Sequence, residues 1–172
     1  MPVGIGYDVH RFERGRRLIL GGVEFASDEG LLGHSDADVA THAIMDALLG
    51  AAGLGDIGRL FPPSDPRYAG ANSLDLLRVV ARLLGDHAWR VGNVDLTIVA
   101  ERPKIAPAAA EMRRRLGEAA GVDPARLNVK ATTNEGLGFL GRGEGIAAIA
   151  VAEILPALLS PGNATSPLES AK

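Results

Sequence analysis

The 172-residue chain contains no cysteine. That excludes a disulfide framework and thiolate metal sites, leaving histidine and carboxylate as the obvious ligands for a metal. Aromatic residues make up only 4%, so the core has to be built from Ala, Leu, Val and Ile. There is no excess of positive charge either. Eighteen Lys and Arg stand against 21 Asp and Glu, for a net charge of -3, without the basic footprint of a general nucleic-acid binder. The main basic run, Arg113 to Arg115, reads as a solvated helix face. No apolar run reaches the roughly 18 residues that a membrane helix needs. The N-terminus opens on an alternating strand pattern rather than a signal peptide. The expectation is a cytoplasmic protein with neither nucleic acid nor membrane as partner.

What is present fits one domain with a sizeable core. Residues 3–9 alternate as a strand, with Val3, Ile5, Tyr7 and Val9 on one face and Asp8 on the other, where His10 follows. Two short strands, at 18–20 and 23–25, flank Gly21-Gly22 as a hairpin. Ser35 is the predicted N-cap of a helix reaching about Ala52, with Asp38 in a capping-box-like position and Gly53 as the stop. Within that apolar helix Asp38, His42 and Asp46 recur every fourth residue and share one stripe. Buried polar groups of this kind need partners or a metal. Residues 54–70 read as a loop. A second helix starts at Ser73, a strand spans 93–100, and a third helix runs from Pro107 to near Gly121. A further strand is expected over 127–133, then a glycine-rich loop over 132–145. The Ala-rich segment 146–155 fits a buried strand or a helix, with the strand favoured. His87, near a helix end, reads as structural. Strands and helices mix without strict βαβ alternation. That predicts an α+β sandwich, a mixed sheet with helices on one face, over residues 1–159. The small, polar tail at 160–172 is expected to be disordered.

Three of the four histidines fall in the first 42 residues, each with a carboxylate close by. Asp8, His10 and His42 would make a three-ligand site that keeps a fourth position open for chemistry on zinc. The same residues also read as a hydrogen-bonded Asp-His pair beside an unrelated buried histidine. His34 and Ser35, at a helix N-terminus, suit an anion, or are a loop residue and a cap. The loop from Asp56 to Pro62 has no unique reading by itself. Lys104, just after a strand, faces a phosphate or is a surface lysine in a turn. The segment from Lys130 to Glu135 places the Thr132 and Thr133 hydroxyls and a carboxylate at a strand end. Hydroxyls suit phosphate oxygens, and the carboxylate suits a hard divalent ion. A further glycine-rich loop carries Arg142. Neither a Walker A motif nor a G-x-S-x-G nucleophile elbow occurs.

Five blocks in order, GYDVH, GLLGHSDADVATHAIMDALLGAAGLGDIG, LFPPSDP, GNVDLTIVAERPKI and NVKATTNEGLGFLGRGEGIAAIAV, closely resemble the 2-C-methyl-D-erythritol 2,4-cyclodiphosphate synthase family. They cover residues 3 to about 155. The resemblance implies a phosphorus-oxygen lyase of the non-mevalonate isoprenoid pathway. Such an enzyme converts 4-diphosphocytidyl-2-C-methyl-D-erythritol 2-phosphate into the cyclic diphosphate and releases CMP. The substrate's own 2-phosphate attacks its β-phosphorus, so catalysis is positioning and charge neutralisation. By the same resemblance Asp8, His10 and His42 hold Zn2+ or another divalent transition metal. Glu135 holds a second ion, Mg2+ or Mn2+, between the phosphates, and His34 and Thr133 are the catalytic groups. The substrate set comprises Asp8, His10, His34, Ser35, Asp56, Gly58, Phe61, Asp65, Ala100, Lys104, Ile105, Ala106, Ala131, Thr132, Thr133, Glu135, Phe139 and Arg142. A homotrimer is implied, with active sites between subunits. Phe139, Arg142 and Glu144 would line an axial channel that takes an isoprenoid diphosphate. Two other readings stay open: a zinc phosphohydrolase acting on a nucleotide diphosphate ester, and a non-enzymatic trimer that binds such a ligand.

Overall fold

The computed structural model describes residues 1–157 and is organised around one long strand, β1 (Val3–Arg14). A separate hairpin follows, β2 (Leu18–Leu20) and β3 (Val23–Phe25), turning on Gly21 and Gly22, which both have positive φ. That backbone suits a two-residue turn between twisted strands. Then come β4 (Glu29–Leu31), α1 (Val39–Ala52), the short α2 (Ile57–Leu60) and α3 (Ser73–Asp86). The chain continues through β5 (Trp89–Val99), α4 (Ala109–Ala120), β6 (Leu127–Thr132), the short α5 (Gly138–Gly141) and β7 (Gly145–Pro156). Five strands form one sheet in the order β4-β1-β7-β5-β6. Only β5 and β6 pair in parallel, so the sheet is mixed.

α1, α3 and α4 cover one face of the sheet, as expected for an α+β sandwich. The core between them is aliphatic: Ile44, Leu48, Leu77, Leu96, Ile98 and Met112 are fully buried. The Ala-rich segment is strand β7, central in the sheet. Its Ala148, Ala150 and Ala152 leave room for α1 to lie directly on it.

The alternation in β1 is as expected, but its apolar side faces outward. Val3, Ile5 and Tyr7 are 62%, 71% and 54% exposed, with Val9, Ile149 and Val151 continuing the same open stripe. The inward side is Gly4, Gly6, Asp8 and His10, because α1 packs against the glycines. A Cβ on Gly4 would stand 2.0 Å from the Ala47 carbonyl oxygen, and one on Gly6 would stand 2.0 Å from that of Ala43.

Several details differ from expectation, among them α5 inside the expected loop at 132–145 and the start of β5 at Trp89 rather than residue 93. Asp38, not Ser35, is the N-cap of α1, accepting from the Thr41 N–H. The loop at 54–70 contains α2 and a 3-10 turn at Pro66–Tyr68. Pro107 lies in a 3-10 turn, Ala106–Ala108, that precedes α4. β4 had no clear signal of its own because it is only three residues long. His87 caps the end of α3, as a structural residue would. The expected tail at 160–172 lies outside the described residues. Among the described residues no helix is long and apolar enough to cross a membrane.

Candidate active site

The registry of β1 on α1 builds the site. Two residues of strand advance about 6.7 Å, and four residues of helix advance about 6 Å. Gly6 meets Ala43 and Ala47, and Gly4 meets Ala47 and Ala51, so the two elements run antiparallel in step. The next inward residue, Asp8, therefore arrives beside His42. The Asp8 Oδ2 lies 2.9 Å from His42 Nδ1 and 3.0 Å from His10 Nε2, and those two ring nitrogens are 3.4 Å apart.

These three atoms fit a metal ion. Ligands around a tetrahedral zinc at about 2.0–2.2 Å stand roughly 3.3–3.6 Å from one another; the two ring nitrogens already have that spacing, and the carboxylate oxygen needs to withdraw by only about half an ångström. The donor chemistry agrees. Ser73 Oγ donates to Asp36 at 2.5 Å and so has no proton left for His42. At 3.0 Å it therefore accepts from His42 Nε2, with Ser35 Oγ at 3.2 Å as a second acceptor. Nδ1 then presents its lone pair toward a carboxylate oxygen, an arrangement that needs a cation between them. In the metal-free chain a proton serves. Burial disfavours the His42 cation, but the Asp8 hydrogen bond and charge outweigh it, and its pKa is raised above the ordinary histidine value. Burial likewise pushes Asp8 up, but His10 and His42 hold its carboxyl well below the usual range.

The other two members of the α1 stripe are satisfied. Asp38 accepts from the Gly21 and Gly22 N–H groups at 2.8 and 2.7 Å and from the Thr41 hydroxyl at 2.7 Å, fastening the hairpin to the helix. Asp46 accepts from the Ile57 N–H at 2.8 Å and so places α2. Burial and the nearby Asp56 and Asp8 charges raise the Asp46 pKa despite that bond.

A cleft of about 250 Å³ opens beside the triad. It is lined by Asp8, His10, His34, Ser35, His42, Gly58 and Phe61 from the sequence-predicted set. Pro63, within the predicted loop from Phe61 to Asp65, also lines it, as do Met45, Ile57, Tyr68 and Leu76, which were not anticipated. They are apolar or aromatic residues in elements with no metal or anion signature. Phe61 and Tyr68 meet edge-to-face with ring centroids 5.2 Å apart. Asp56 and Asp65 cap the two short helical turns of this wall, accepting from the Arg59 and Arg67 N–H groups.

The remaining predicted residues stand apart from this cleft. Ala131 is in register with Ile98, Ile98 with Ala148, and Ala148 with Asp8. They share one row of the sheet, but three strand spacings, about 14 Å, separate Asp8 from Ala131. At that far edge Ala100, Lys104, Ile105 and Ala106 follow β5, while Thr132, Thr133 and Glu135 end or follow β6. Glu101, within the segment expected to meet the cytidine portion, ties the two segments together, a role the sequence did not signal. Its Oε1 accepts from the Asn134 N–H at 2.9 Å and the Gly136 N–H at 3.4 Å. The Thr133 hydroxyl donates to Glu135 at 2.9 Å. Glu135 has positive φ, a backbone position that carries strain in a residue other than glycine. Phe139 is 45% exposed on α5, and Arg142 pairs with Glu144 at 2.6 Å. The predicted residues thus fall into two groups, an acid-histidine cleft and a hydroxyl-carboxylate edge three strands away.

Comparison with known proteins bears on this arrangement. The profile of the YgbB family matches residues 1–155. A Symbiobacterium thermophilum relative named 2-C-methyl-D-erythritol 2,4-cyclodiphosphate synthase is 65% identical over 154 residues, covering 90% of this chain and 98% of its own. A bifunctional enzyme IspD/IspF of Anaeromyxobacter dehalogenans is 64% identical over 157 residues. The match covers 91% of this chain but only 40% of that longer protein. Among solved structures, a 2C-methyl-D-erythritol-2,4-cyclodiphosphate synthase in a CDP-bound form superposes with a TM-score of 0.81 at 38% identity, over 89% of this chain and 99% of its own. A Plasmodium falciparum IspF in complex with CDP gives 0.80 at 32% identity, over 91% and 97%.

Proposed function

The chain belongs to the YgbB family, that of the 2-C-methyl-D-erythritol 2,4-cyclodiphosphate synthases, and we propose on that premise that it catalyses the family's cyclisation. The substrate is 4-diphosphocytidyl-2-C-methyl-D-erythritol 2-phosphate. An oxygen of its 2-phosphate forms a bond to the β-phosphorus, the bond to CMP breaks, and CMP leaves with the electron pair. The reaction is that of a phosphorus-oxygen lyase and needs no nucleophile from the protein. The convergence of Asp8 Oδ2, His10 Nε2 and His42 Nδ1 at the mouth of a cleft is the observation that carries this reading.

Those three residues would hold Zn2+ or a similar divalent ion, and Glu135 a second one, Mg2+ or Mn2+. Such ions withdraw charge from phosphate oxygens and stabilise the transition state. The chain's own residues do the rest. His34, exposed at the cleft, and Ser35 at its floor donate hydrogen bonds to phosphate. The Thr133 hydroxyl turns from Glu135 to a phosphate oxygen. Gly58, Phe61 and the Asp56 and Asp65 turns shape the wall that meets the methylerythritol portion. Ala100, Lys104, Ile105, Ala106, Ala131 and Thr132 receive the cytidine diphosphate, a ligand consistent with the CDP carried by two structural neighbours.

The cleft and the edge of one copy lie three strands apart, so we assign the complete site to two adjacent copies of a homotrimer. The open apolar stripe from Val3 to Val9, with Ile149 and Val151, supplies a surface for that assembly. Phe139, Arg142 and Glu144 would then line its axis, where Arg142 suits an isoprenoid diphosphate. A cytoplasmic location fits this substrate.

Incubating protein, substrate and divalent metal in isotopically labelled water tests the proposal. CMP and a cyclic diphosphate free of solvent oxygen are expected. Solvent oxygen in the product would indicate a zinc phosphohydrolase, and absence of turnover with metal present would leave a binding protein.

A further inference from the structure

We propose that Ser73 and Asp36 are positioning residues that fix the His42 tautomer and hold its Nδ1 lone pair toward Asp8 and His10; this rests on the reading of those three residues as a metal site. Ser73 is the first residue of α3 and is fully buried. Its position is set by Asp36, which grips it twice. Asp36 Oδ2 accepts from the Ser73 N–H at 3.0 Å, and Oδ1 accepts from the Ser73 hydroxyl at 2.5 Å. A hydroxyl has one proton to give, and a carboxylate is the stronger acceptor. The Ser73 oxygen is thereby left as a pure acceptor, 3.0 Å from His42 Nε2. Nε2 must carry a proton, and Nδ1 must be the lone-pair nitrogen.

The arrangement performs the task that a carboxylate bonded directly to a metal-binding histidine performs elsewhere. Here the carboxylate acts through an intervening hydroxyl. It also joins the site to the start of α3, an element whose Leu76 lines the cleft. Ser35 Oγ, 3.2 Å from the same nitrogen, lacks such a carboxylate partner for its proton. It accepts from the Ala37 N–H at 3.2 Å and is the weaker of the two contacts. Ser73 accordingly dominates the choice of tautomer, and Asp36 bears on that choice through Ser73, while its charge also favours the His42 cation and its Oδ1 accepts from the Asp38 N–H at 3.3 Å.

The test uses the full chain without substrate. Zinc affinity is measured by competition with a chromophoric chelator for wild type, Ser73→Ala, Asp36→Asn and the double variant. Each single substitution should weaken zinc by roughly 10–100-fold, with the circular-dichroism spectrum retained. Asp36→Asn should add less than about threefold once Ser73 is alanine, because the route through the hydroxyl is already gone. Ser73→Cys, close in size and a poor hydrogen-bonding partner, should weaken zinc in the same direction and serves if the alanine variant fails to fold. Histidine ring 15N spectra of the zinc-loaded protein should show His42 carrying its proton on Nε2 in wild type, with that proton exchanging faster with solvent in the Ser73 variants. Zinc affinity unchanged within twofold in a folded Ser73 variant would overturn the proposal. Additive losses in the double variant, or a His42 bound to zinc through Nε2 in wild type, would do the same. If wild type binds no zinc, the metal reading fails and this proposal fails with it; zinc bound equally by wild type and variants sinks this proposal alone.

Discussion

Gly6 sits so close to Ala43 that a methyl group on it would lie 2.0 Å from the Ala43 carbonyl oxygen and 2.7 Å from the Ala47 nitrogen. Both are backbone atoms of a buried helix and have nowhere to go. Gly6→Ala should therefore push β1 away from α1 and move Asp8 off His42. Overpacking of a core costs about 1–3 kcal/mol, and a clash with backbone belongs at the upper end. The thermal midpoint should fall by roughly 6–10 °C, with at least a tenfold loss of zinc affinity. Gly50→Ala is the control. It lies in the same helix with nothing within 4 Å of its Cβ, so it should be neutral or stabilising by up to about 1 kcal/mol. Calorimetry and a zinc titration on both variants check the contrast.

The Asp8–His42 pair fixes a pH dependence for the metal-free protein. The His42 pKa is raised on folding, so its contribution is fully present below the unfolded value, about 6.5, and is lost as pH rises through the folded value. The Asp8 pKa is lowered, so its contribution is present above about 3.9 and is lost as pH falls through the folded value. Together they stabilise most between about pH 4 and 6.5. Urea unfolding of chelator-treated wild type, compared with His42→Gln, should show a stability advantage that shrinks between pH 6.5 and 9. An advantage that grows over that range would contradict the assignment.

Assembly through the open face of the sheet is tested at Ile5, 71% exposed and in register with Val151. Ile5→Asp places a charge in the centre of the apolar stripe without touching the buried core. Light scattering should report three copies for wild type and one for the variant. The circular-dichroism spectrum should persist while cyclase activity is lost, as the proposed sharing of the site between copies requires.

Glu101 holds the Thr133–Glu135 segment from the neighbouring loop. Glu101→Ala removes the acceptor for the Asn134 and Gly136 N–H groups. A hydrogen bond to a charged group contributes about 1.5–3 kcal/mol, so CDP affinity by titration calorimetry should drop roughly tenfold or more. The thermal midpoint should hardly move, because the loop contributes little to the core. Glu101→Gln keeps an acceptor oxygen and should recover part of the affinity.

Much of the fold is legible in the sequence. The hairpin at Gly21-Gly22 and the stop of α1 at Gly53 follow from local rules of turn and cap, while length and composition favoured β7 as a strand without excluding a helix. The family resemblance pointed to Asp8, His10 and His42. What stayed hidden depended on neighbours. The side of β1 facing the core cannot be told from alternation when the candidates are an apolar stripe and a stripe of Gly, Gly, Asp and His. Ser35 and Asp38 are both good caps, and the two hairpin N–H groups that Asp38 also serves come from elsewhere in the chain.

By itself, the sequence determined the chemistry available: histidine and carboxylate but no thiolate, and glycines every second residue ahead of Asp8. Residue type and local spacing suffice for that. The tertiary structure decided which atoms meet. It brought Ser73 and Asp36 behind His42 and Glu101 behind Asn134, and it left the Asp8 cleft and the Thr133–Glu135 edge three strands apart. Those relationships are set by the packing of helix on sheet and by the order of strands, which no local pattern encodes.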